Sequence, residues 1–398
     1  MKILHVNCAD NGSTGAIIDS IAQFTEHQHI LCAPYITREH NHLKAYGVCY
    51  PHELGICRRI SAILGYRYGF APLSTHKIIG IIRKEKPDII HLHSANCHVV
   101  DIYRLLAYIK KRDIPLVVTN HAEFFYTGSC SHAYECDKWK TGCGSCCRAR
   151  EATQSLRKDI TARAFQKMKR AFEGIRRGYI ISVSPWQISR SLASPILEGI
   201  PQACIKNGVD TSVFRYMESA ASCSERIVLY VTPRFSSSDT SEKGGAYLLR
   251  LAESLKHEVV RFIIIGRMAD EGVSALPDNV RWGGFINNPE VLAQYYCMAD
   301  LVVTLSRRET YGMTVAEALL CGTPVVGFQN GGSDSIALPQ YTEFVAFGDV
   351  QTLSDRMREK WLYYKDGRAQ QIAASARTEY GAQTMAEQYD RIYRKVCQ

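Results

Sequence analysis

Short apolar runs rich in β-branched residues recur along the chain, separated by stretches long enough for helices. Examples are "KILHVN", "PDIIHLHS" and "IPLVVTNH" in the first half, and "RIVLYVTP", "VRFIIIG" and "ADLVVTLS" in the second. The stretch 155–172 has apolar residues at helical spacing, namely Leu156, Ile160, Phe165, Met168 and Phe172. Apolar strands that alternate with helices predict an α/β protein with parallel sheets covered on both faces.

The alternation stops at "KNGVDTSVFRYMESAASCSER" and starts again at "RIVLYVTP". Because 398 residues exceed what one hydrophobic core usually organises, we predict two Rossmann-like, doubly wound domains facing across a cleft. Their predicted ranges are 1–208 and 209–380, and we expect a helix over 381–398 to pack back on the first domain. Ligands of such sheets bind beyond the carboxyl ends of the strands, so motifs at those ends carry most weight.

Composition excludes some classes of protein. The apolar fraction of 46% and the charged fraction of 22% are typical of soluble globular proteins. No apolar run approaches the ~18 residues of a membrane span, and the chain opens directly on a strand, so we expect a cytoplasmic protein. A net charge of +9 indicates attraction to substrate phosphates, nucleic acid or an anionic membrane surface.

Two glycines follow the first strand. Gly12 and Gly15 are expected to precede a helix, where they would let the backbone approach an anion; an ordinary glycine turn is the alternative.

Cations and glycines follow the strands of the second domain. Arg234 comes after "RIVLYVTP", and Lys243 stands next to two glycines at a predicted helix start. Two cations beside free helix N–H groups suit a diphosphate, although solvated loop charges remain an alternative. Gly266 is expected to end a further strand at the same site, and Glu309 lies in the loop after "LVVTLS".

The carboxylates Glu309 and Glu317 are separated by seven residues. Thr314 followed by Glu317 matches a capping box, which would make Glu317 a helix cap. That interpretation leaves Glu309 unexplained, because a loop just before a helix N-terminus favours anionic ligands.

Taken together, Arg234, Lys243 and the two glutamates, followed by "EALLCGTPVVGF", resemble glycosyltransferase family 4, whose members are retaining enzymes of the GT-B fold. The resemblance covers essentially the whole chain. It implies that Arg234 and Lys243 hold the nucleotide diphosphate and that Glu317 accepts the ribose hydroxyls. Glu309 would hold the donor sugar together with a backbone segment made of Tyr311, Gly312, Met313 and Thr314.

The resemblance also assigns residues of the first domain. Gly15 would lie against the diphosphate, and His121, just after "VVTN", would border the donor sugar. The family often has Asp after this His, whereas this chain has Ala122 and Glu123. A histidine of the core is the alternative for His121. The histidines of "DIIHLHS", His91 and His93, are interpreted as strand-end residues that support the site from behind.

A cysteine-rich loop spans residues 127–147 and resembles a subgroup from colanic-acid and O-antigen pathways. Four of its cysteines follow the spacing C-x5-C-x6-C-x2-C: Cys130, Cys136, Cys143 and Cys146. Such spacing suits a closed tetrahedral zinc that organises the loop, while free thiols or disulfides formed on isolation are the alternatives. His132 and Cys147 are additional donors. The metal would be structural, and no catalytic cofactor is expected.

The segment "RRISAILGYRYGF" mixes Arg58, Arg59 and Arg67 with apolar and aromatic residues. It suits either a packing helix decorated with charges or a surface that lies on anionic lipid, supported by basic residues of 157–170. The resemblance favours the lipid surface, because acceptors of the subgroup are carried on membrane lipid.

The sequence thus predicts a retaining, metal-independent glycosyltransferase. Its donor would be a UDP- or GDP-sugar, and its acceptor a lipid-linked saccharide of O-antigen, lipopolysaccharide or other surface polysaccharide synthesis on the inner face of the plasma membrane. Alternatives are a nucleotide-sugar epimerase or a phosphorylase of the same fold. A zinc-dependent nucleic-acid-binding protein is disfavoured because the basic residues are dispersed and no finger repeats, so we expect no nucleic-acid partner.

Overall fold

The computed structural model describes residues 1–64, 68–95, 98–156, 159–218, 224–269 and 276–398. These residues divide into two compact units, one of residues 1–206 and 385–398, the other of residues 207–384. The division lies two residues before the predicted boundary after 208. Among the helices of the described residues, none is long and apolar enough to cross a membrane.

The first unit is built on a seven-stranded sheet in the order β3-β2-β1-β4-β5-β6-β7. All neighbouring strands pair in parallel. Its strands are β1 (Lys2–Val6), β2 (Gln28–Ala33), β3 (Leu43–Gly47), β4 (Ile89–Leu92), β5 (Leu116–Asn120), β6 (Gly178–Ser182) and β7 (Gln202–Cys204). Its helices are α1 (Gly12–Gln23), α2 (Glu53–Leu64), α3 (Pro72–Glu85), α4 (Ile102–Arg112), α5 (Phe124–Thr127), α6 (Ala149–Thr153), α7 (Thr161–Phe172) and α8 (Pro185–Leu192).

The second unit has a six-stranded parallel sheet in the order β10-β9-β8-β11-β12-β13. Its strands are β8 (Arg226–Phe235), β9 (Val260–Met268), β10 (Val280–Trp282), β11 (Leu301–Thr304), β12 (Val325–Phe328) and β13 (Thr342–Val345). Its helices are α9 (Gly245–Ser254), α10 (Pro289–Met298), α11 (Met313–Leu320), α12 (Gly332–Ile336), α13 (Val350–Glu359) and α14 (Ala369–Tyr380). The last helix of the chain, α15, spans Ala382–Cys397.

Each sheet winds outward in both directions from a central pair of strands, β1 and β4 in the first unit and β8 and β11 in the second. The sheets are covered by helices, and most central-strand residues are fully buried, as in β4 and β11. These features confirm the predicted fold class of two Rossmann-like parallel-sheet units. A crevice forms where the winding reverses, and ligands of this architecture bind there.

Helix α15 belongs to the first unit from residue 385 onward. It covers one face of the sheet, where Met385, Tyr389 and Val396 join a buried cluster with Ile3 of β1 and Val117 of β5. Polar contacts accompany this packing, and the Tyr389 hydroxyl lies 3.0 Å from the Thr119 hydroxyl.

Several local predictions were wrong. The helix expected over 155–172 begins at Thr161, and Leu156, expected on its buried face, is 68% exposed. Residues 157 and 158 lie outside the described residues, as do Tyr66 and Arg67 of the expected lipid surface. Tyr68 of that surface is buried, and its hydroxyl donates to the carbonyl of Ser129 at 2.8 Å.

Candidate functional site

An ion pair marks the carboxyl edge of the second sheet. Lys243 Nζ donates to Glu309 Oε1 at 2.7 Å, and their side chains are 37% and 23% exposed. Lys243 follows β8 and Glu309 follows β11, which are the two central strands from which the sheet winds outward. The structure therefore brings together, at the topological switch point, two residues that the sequence placed at separate strand ends.

Lys243 is positioned by its backbone neighbours. The Tyr230 hydroxyl donates to the Lys243 carbonyl at 2.5 Å. Gly244 has φ of 81°, and a Cβ there would lie 2.1 Å from the Leu305 carbonyl oxygen, so only glycine fits. Helix α9 begins at the next residue and has no side-chain cap within the described part of the chain. Lys243 thus stands at the positive end of a helix dipole, where an anion is favoured.

Glu309 is held by a loop that the sequence analysis missed. Its N–H donates to the Asn330 carbonyl at 3.3 Å, and its carbonyl accepts from the Gly332 N–H at 2.9 Å. The carboxylate of Asp334 accepts from the N–H groups of Asn330 and Gly331, both at 2.7 Å. A Cβ on Gly332 would lie 2.4 Å from the carbonyl carbon of Thr310. The sequence signal is "NGGSD", which begins two residues after the end of strand β12.

The backbone between the two glutamates is fixed from both sides. The Tyr311 hydroxyl donates to the Asn207 carbonyl at 2.7 Å. Gly312 has φ of 93°, and a Cβ there would lie 2.3 Å from the Ser333 hydroxyl oxygen. Helix α11 starts at Met313 with Gly312 as its N-cap, which disproves the capping box of Thr314 and Glu317. Helix α11 therefore begins four residues after Glu309, and the free N–H groups of its N-terminus favour an anionic ligand.

Glu317 lies inside the unit rather than capping its helix. Its Oε2 accepts from the Tyr296 hydroxyl at 2.9 Å. Burial raises the pKa of Glu317 to about 7, although the hydrogen bond from Tyr296 opposes that shift. The carboxyl group is therefore poised between its neutral and charged forms near neutral pH. Tyr296, on α10, was not singled out from the sequence.

The other two predicted residues of this unit lie differently than expected. Arg234 is inside β8, after an irregularity between Val231 and Arg234, and pairs with Arg267 of β9. Its side chain is exposed and donates to the Ala269 carbonyl at 3.4 Å. Gly266 does not end its strand, because β9 continues to Met268. A Cβ on Gly266 would lie 2.1 Å from the Thr232 carbonyl oxygen, so strand packing explains this glycine.

In the first unit, His121 follows β5 at the carboxyl edge of the sheet. Its Nε2 lies 3.1 Å from His93 Nδ1, and the two rings stack with centroids 5.4 Å apart. Burial lowers the pKa of His121 to about 4, so the imidazole is neutral at pH 7. Gly15 lies within α1, which begins at Gly12 rather than after both glycines. A Cβ on Gly15 would lie 2.7 Å from the Asp10 carbonyl oxygen.

The cysteine-rich loop is anchored by Glu123, the second residue after His121. Glu123 is fully buried, its Oε2 accepts from the Ala133 N–H at 2.7 Å, and it forms an ion pair of 3.2 Å with Arg190. Trp139, also buried, donates its indole N–H to the Cys136 carbonyl at 2.7 Å. Glu123 therefore has a structural role in holding the loop.

Cys130, Cys136, Cys143 and Cys146 all line one cavity of about 20 Å³ in this loop. Burial raises the pKa of Cys130 and that of Cys143 to about 12, so these thiols are protonated unless a cation binds them. Soft donors around so small a cavity fit a zinc ion. Within the described residues, a different trio has ligand atoms that all lie within 4.8 Å of one another: His5, His91 and His93.

A larger cavity of about 300 Å³ lies between α2 and the segment around α6. The side chains of Arg58 and Arg150 line it, and its described lining includes no carboxylate. Ser61, 1% exposed, places in the same lining a hydroxyl that has no hydrogen-bond partner among the described residues. The cavity is suited to an anionic ligand.

Family models match each part of the chain. "Glycosyltransferase Family 4" matches residues 25–213, and "Glycosyl transferases group 1" matches residues 226–377. A D-inositol 3-phosphate glycosyltransferase of Xylanimonas cellulosilytica is 32% identical over 34% of this chain and 34% of its own length. An uncharacterized 41.2 kDa protein in the cps region of Klebsiella pneumoniae is 24% identical over 43% of this chain and 47% of its own length. The chain therefore matches less than half the length of either relative.

Solved structures share the fold over the whole chain. Sucrose-phosphate synthase of Thermosynechococcus elongatus has a TM-score of 0.72 and 16% identity, covering 100% of this chain and 99% of that one. HepE of Anabaena in complex with UDP has a TM-score of 0.66 and 16% identity, covering 99% of this chain and 100% of that one. The lipopolysaccharide glycosyltransferase WaaG has a TM-score of 0.63 and 14% identity, covering 99% of each chain.

Two parallel-sheet units, each matched by its own glycosyltransferase model, define the class of this protein. The chain belongs to the glycosyltransferases of the GT-B fold.

Proposed function

We propose that this protein transfers a sugar from a nucleoside-diphosphate donor to a saccharide acceptor, with retention at the anomeric carbon and without a catalytic metal. The observation that carries the proposal is the Lys243–Glu309 pair at the switch point of β8 and β11, between the starts of α9 and α11. A cation, two helix N-termini and a carboxylate lie there within one edge of a sheet. A sugar diphosphate has groups that match each of them.

The chemistry follows from the charges. As the bond between the anomeric carbon and the diphosphate oxygen breaks, negative charge builds on the leaving diphosphate. Lys243, the N-terminus of α9 and the exposed Arg234 stabilise that charge, as a metal does in other enzymes. The acceptor oxygen bonds to the anomeric carbon on the face that the diphosphate leaves, and its proton passes to the diphosphate. Glu309, released from Lys243 by the diphosphate, accepts hydrogen bonds from the donor sugar.

Donor recognition is assigned to Glu317 and the backbone of Tyr311 to Thr314. The ionised carboxylate of Glu317 would accept hydrogen bonds from the ribose hydroxyls, and the donor is a UDP- or GDP-sugar. The structural neighbour HepE was solved with UDP and with UDP-glucose, which supports a nucleotide-sugar donor. From the first unit, Gly15 is proposed to lie against the diphosphate and His121 to border the donor sugar.

For the acceptor we propose a saccharide on an anionic lipid carrier, used in O-antigen or another bacterial surface polysaccharide of the colanic-acid type. The cavity lined by Arg58 and Arg150 suits the phosphates of such a carrier. On α2, beside Arg58, Ile56 is 55% and Ile63 56% exposed, and exposed apolar residues next to arginines suit contact with an anionic membrane. The cps-region relative and the lipopolysaccharide neighbour support this pathway. The protein would then work peripherally on the inner face of the plasma membrane.

Vesicle binding tests the membrane proposal. Arg58→Ala should weaken binding to vesicles that contain anionic phospholipid, whereas Arg394→Ala, on a helix away from this cavity, should leave it unchanged. Equal binding to neutral and anionic vesicles would contradict the proposal.

A ligand screen tests the donor proposal. One nucleoside diphosphate, with its sugar conjugates, should raise the melting temperature of the protein, because a ligand that binds only the folded state stabilises it. The sugar conjugate should then turn over only when a saccharide acceptor is present. Turnover without any acceptor would indicate an epimerase, and a requirement for inorganic phosphate would indicate a phosphorylase.

A further inference from the structure

Four imidazoles, three of them buried and that of His121 partly buried, form a continuous row of hydrogen bonds in the first unit. His29 Nδ1 lies 2.9 Å from His5 Nε2, His5 Nδ1 lies 3.0 Å from His93 Nε2, and His93 Nδ1 lies 3.1 Å from His121 Nε2. We name these four residues the histidine chain. They come from β2, β1, the end of β4 and the end of β5, which are consecutive strands of the sheet. The histidine chain thus crosses the sheet and ends at the edge where ligands bind.

Every imidazole of the histidine chain is neutral at pH 7. Burial lowers the pKa of His29 to about 3 and that of His121 to about 4, and it holds the pKa values of His5 and His93 well below their ordinary value. A neutral imidazole has one N–H and one lone pair. All the hydrogen bonds of the row must therefore run in the same direction, and only two arrangements exist.

Thr25 selects one of the two arrangements. Its hydroxyl donates to the Ile21 carbonyl at 2.8 Å and lies 2.8 Å from His29 Nε2. Because a hydroxyl has a single proton, Thr25 accepts from His29, whose N–H is then on Nε2. The same arrangement follows for His5, His93 and His121 in turn.

We infer that the histidine chain holds His121 as the Nε2–H tautomer, so that its Nδ1 acts only as a hydrogen-bond acceptor. If the proposed function is right, this makes His121 a residue that recognises a sugar hydroxyl, which can donate, and not a phosphate oxygen, which cannot. His121 would contact the substrate, while His93, His5, His29 and Thr25 are positioning residues that act through it.

A metal ion at His5, His91 and His93 is the competing explanation of the same histidines. Both ring nitrogens of His5 and of His93 are bonded within the histidine chain. His91 Nδ1 lies 2.8 Å from the Tyr393 hydroxyl, and His91 Nε2 lies 2.8 Å from the Thr119 hydroxyl. A metal would have to break several of these bonds, so hydrogen bonding accounts for the trio without one.

The test is ¹⁵N NMR of the full chain with labelled histidine, which distinguishes protonated from unprotonated ring nitrogens. In the wild type, His121 should carry its proton on Nε2 and keep it there from pH 6 to 8. Thr25→Val leaves the His29 Nε2–H buried without an acceptor, which proteins avoid, so the row should reverse and place the His121 proton on Nδ1. Thr25→Ser should retain the wild-type tautomer.

Activity provides a second readout. Thr25→Val should lower kcat/KM about tenfold, the lower end of the effect of removing partners that orient metal-bound histidines, and Thr25→Ser should restore it. Thr378→Val is the matched control, because Thr378 also donates to a backbone carbonyl, at 2.9 Å, but on an exposed helix face. It should change neither the tautomer nor kcat/KM.

The NMR result decides the inference even if the protein transfers no sugar, so failure of the proposed function is a separate outcome. A proton on Nδ1 of His121 in the wild type would overturn the inference. So would an unchanged tautomer in Thr25→Val, or a metal bound by His5, His91 and His93 in the isolated protein.

Discussion

The two units both bury ionisable groups within or beside similar sheets, but burial has opposite consequences for their pKa values. In the first unit, burial lowers the pKa of His121 to about 4 and that of His29 to about 3. In the second, burial raises the pKa of Glu317 to about 7. Burial favours the neutral form in both cases, and a base and an acid then respond to pH in opposite directions. One fold type can therefore supply a neutral recognition surface in one unit and a chargeable one in the other.

Acidification should produce the largest difference in stability between the two units. Unfolded histidine binds a proton below its ordinary pKa of 6.5, whereas His29 and His121 in the folded unit stay neutral down to their lowered pKa values. The stability that depends on them is present above pH 6.5 and is lost as the pH falls, by about 1.4 kcal/mol per histidine and pH unit. His5, His91 and His93 add to this effect because their pKa values are also lowered.

Glu317 predicts the reverse for the second unit. The pKa of Glu317 in the folded unit, about 7, lies above the ordinary value of 4.5. The stability that depends on its protonated form is therefore fully present below pH 4.5 and is lost as the pH rises through 7. Hydrogen exchange measured at pH 7 and 5.5, corrected for intrinsic rates, should show weaker protection in β1 and β4 at the lower pH but not in β8 and β11. Equal loss of protection in both sheets would remove the contrast.

Removing the cations of the second unit should give the next largest effect. Lys243→Ala or Arg234→Ala should lower kcat/KM by an amount equivalent to about 2–4 kcal/mol of transition-state stabilisation, the scale of one lost charge-stabilising group. Lys256→Ala is the control, because Lys256 also forms an ion pair with a glutamate, Glu253, but at the exposed end of α9. Wild-type turnover in Lys243→Ala would refute the diphosphate assignment.

Nucleotide binding should depend on the charge of Glu317. If the ribose hydroxyls bond to its carboxylate, binding requires deprotonation of a group whose pKa is about 7, so the affinity for the nucleoside diphosphate should rise about tenfold from pH 6 to 8. Glu317→Gln should bind more weakly and lose this pH dependence, whereas Glu309→Gln should mainly lower kcat. Calorimetric titration at several pH values measures both effects. Unchanged binding in Glu317→Gln would exclude contact with the ribose.

Metal removal should have the smallest effect on chemistry. We expect about one zinc per chain in protein purified under reducing conditions, and chelation should destabilise the first unit while folded enzyme keeps its turnover. Elemental analysis and thermal unfolding measure these two quantities. Freely titratable Cys130, Cys136, Cys143 and Cys146 in folded protein would disprove the zinc site, and loss of turnover without loss of stability would give the metal a catalytic role.

The strands that the sequence predicted best are the buried central ones. β4, β8 and β11 are apolar runs, because strands covered on both faces need apolar residues throughout. Strands β3 ("LKAYG") and β13 ("TEFV") were not predicted; they lie at sheet edges and mix polar with apolar residues. Edge strands are half covered, so their composition resembles that of loops.

The residues of the candidate site also divide into those that the sequence predicts and those that it does not. Lys243 and Glu309 could be found from their positions after predicted strands, because parallel strands bring their carboxyl ends to one edge. Gly266 was predicted to end its strand, but β9 continues to Met268, and a Cβ on Gly266 would lie 2.1 Å from the Thr232 carbonyl oxygen. Tyr296 and Asp334 were not predicted as site residues. Nothing near them in the sequence shows that Tyr296 bonds to the carboxylate of Glu317 or that Asp334 accepts from the backbone of its turn.

By itself the sequence determined the class of fold, the two units and the strand ends that carry charge, since these depend on local periodicity and on short motifs. Only the tertiary structure decided that Lys243 pairs with Glu309, that Glu317 bonds to the Tyr296 hydroxyl, and that four histidines join in one row. Pairing, burial and hydrogen-bond direction depend on direct contacts between residues up to 88 positions apart, as between His5 and His93. Such contacts exist only once the strands are placed side by side.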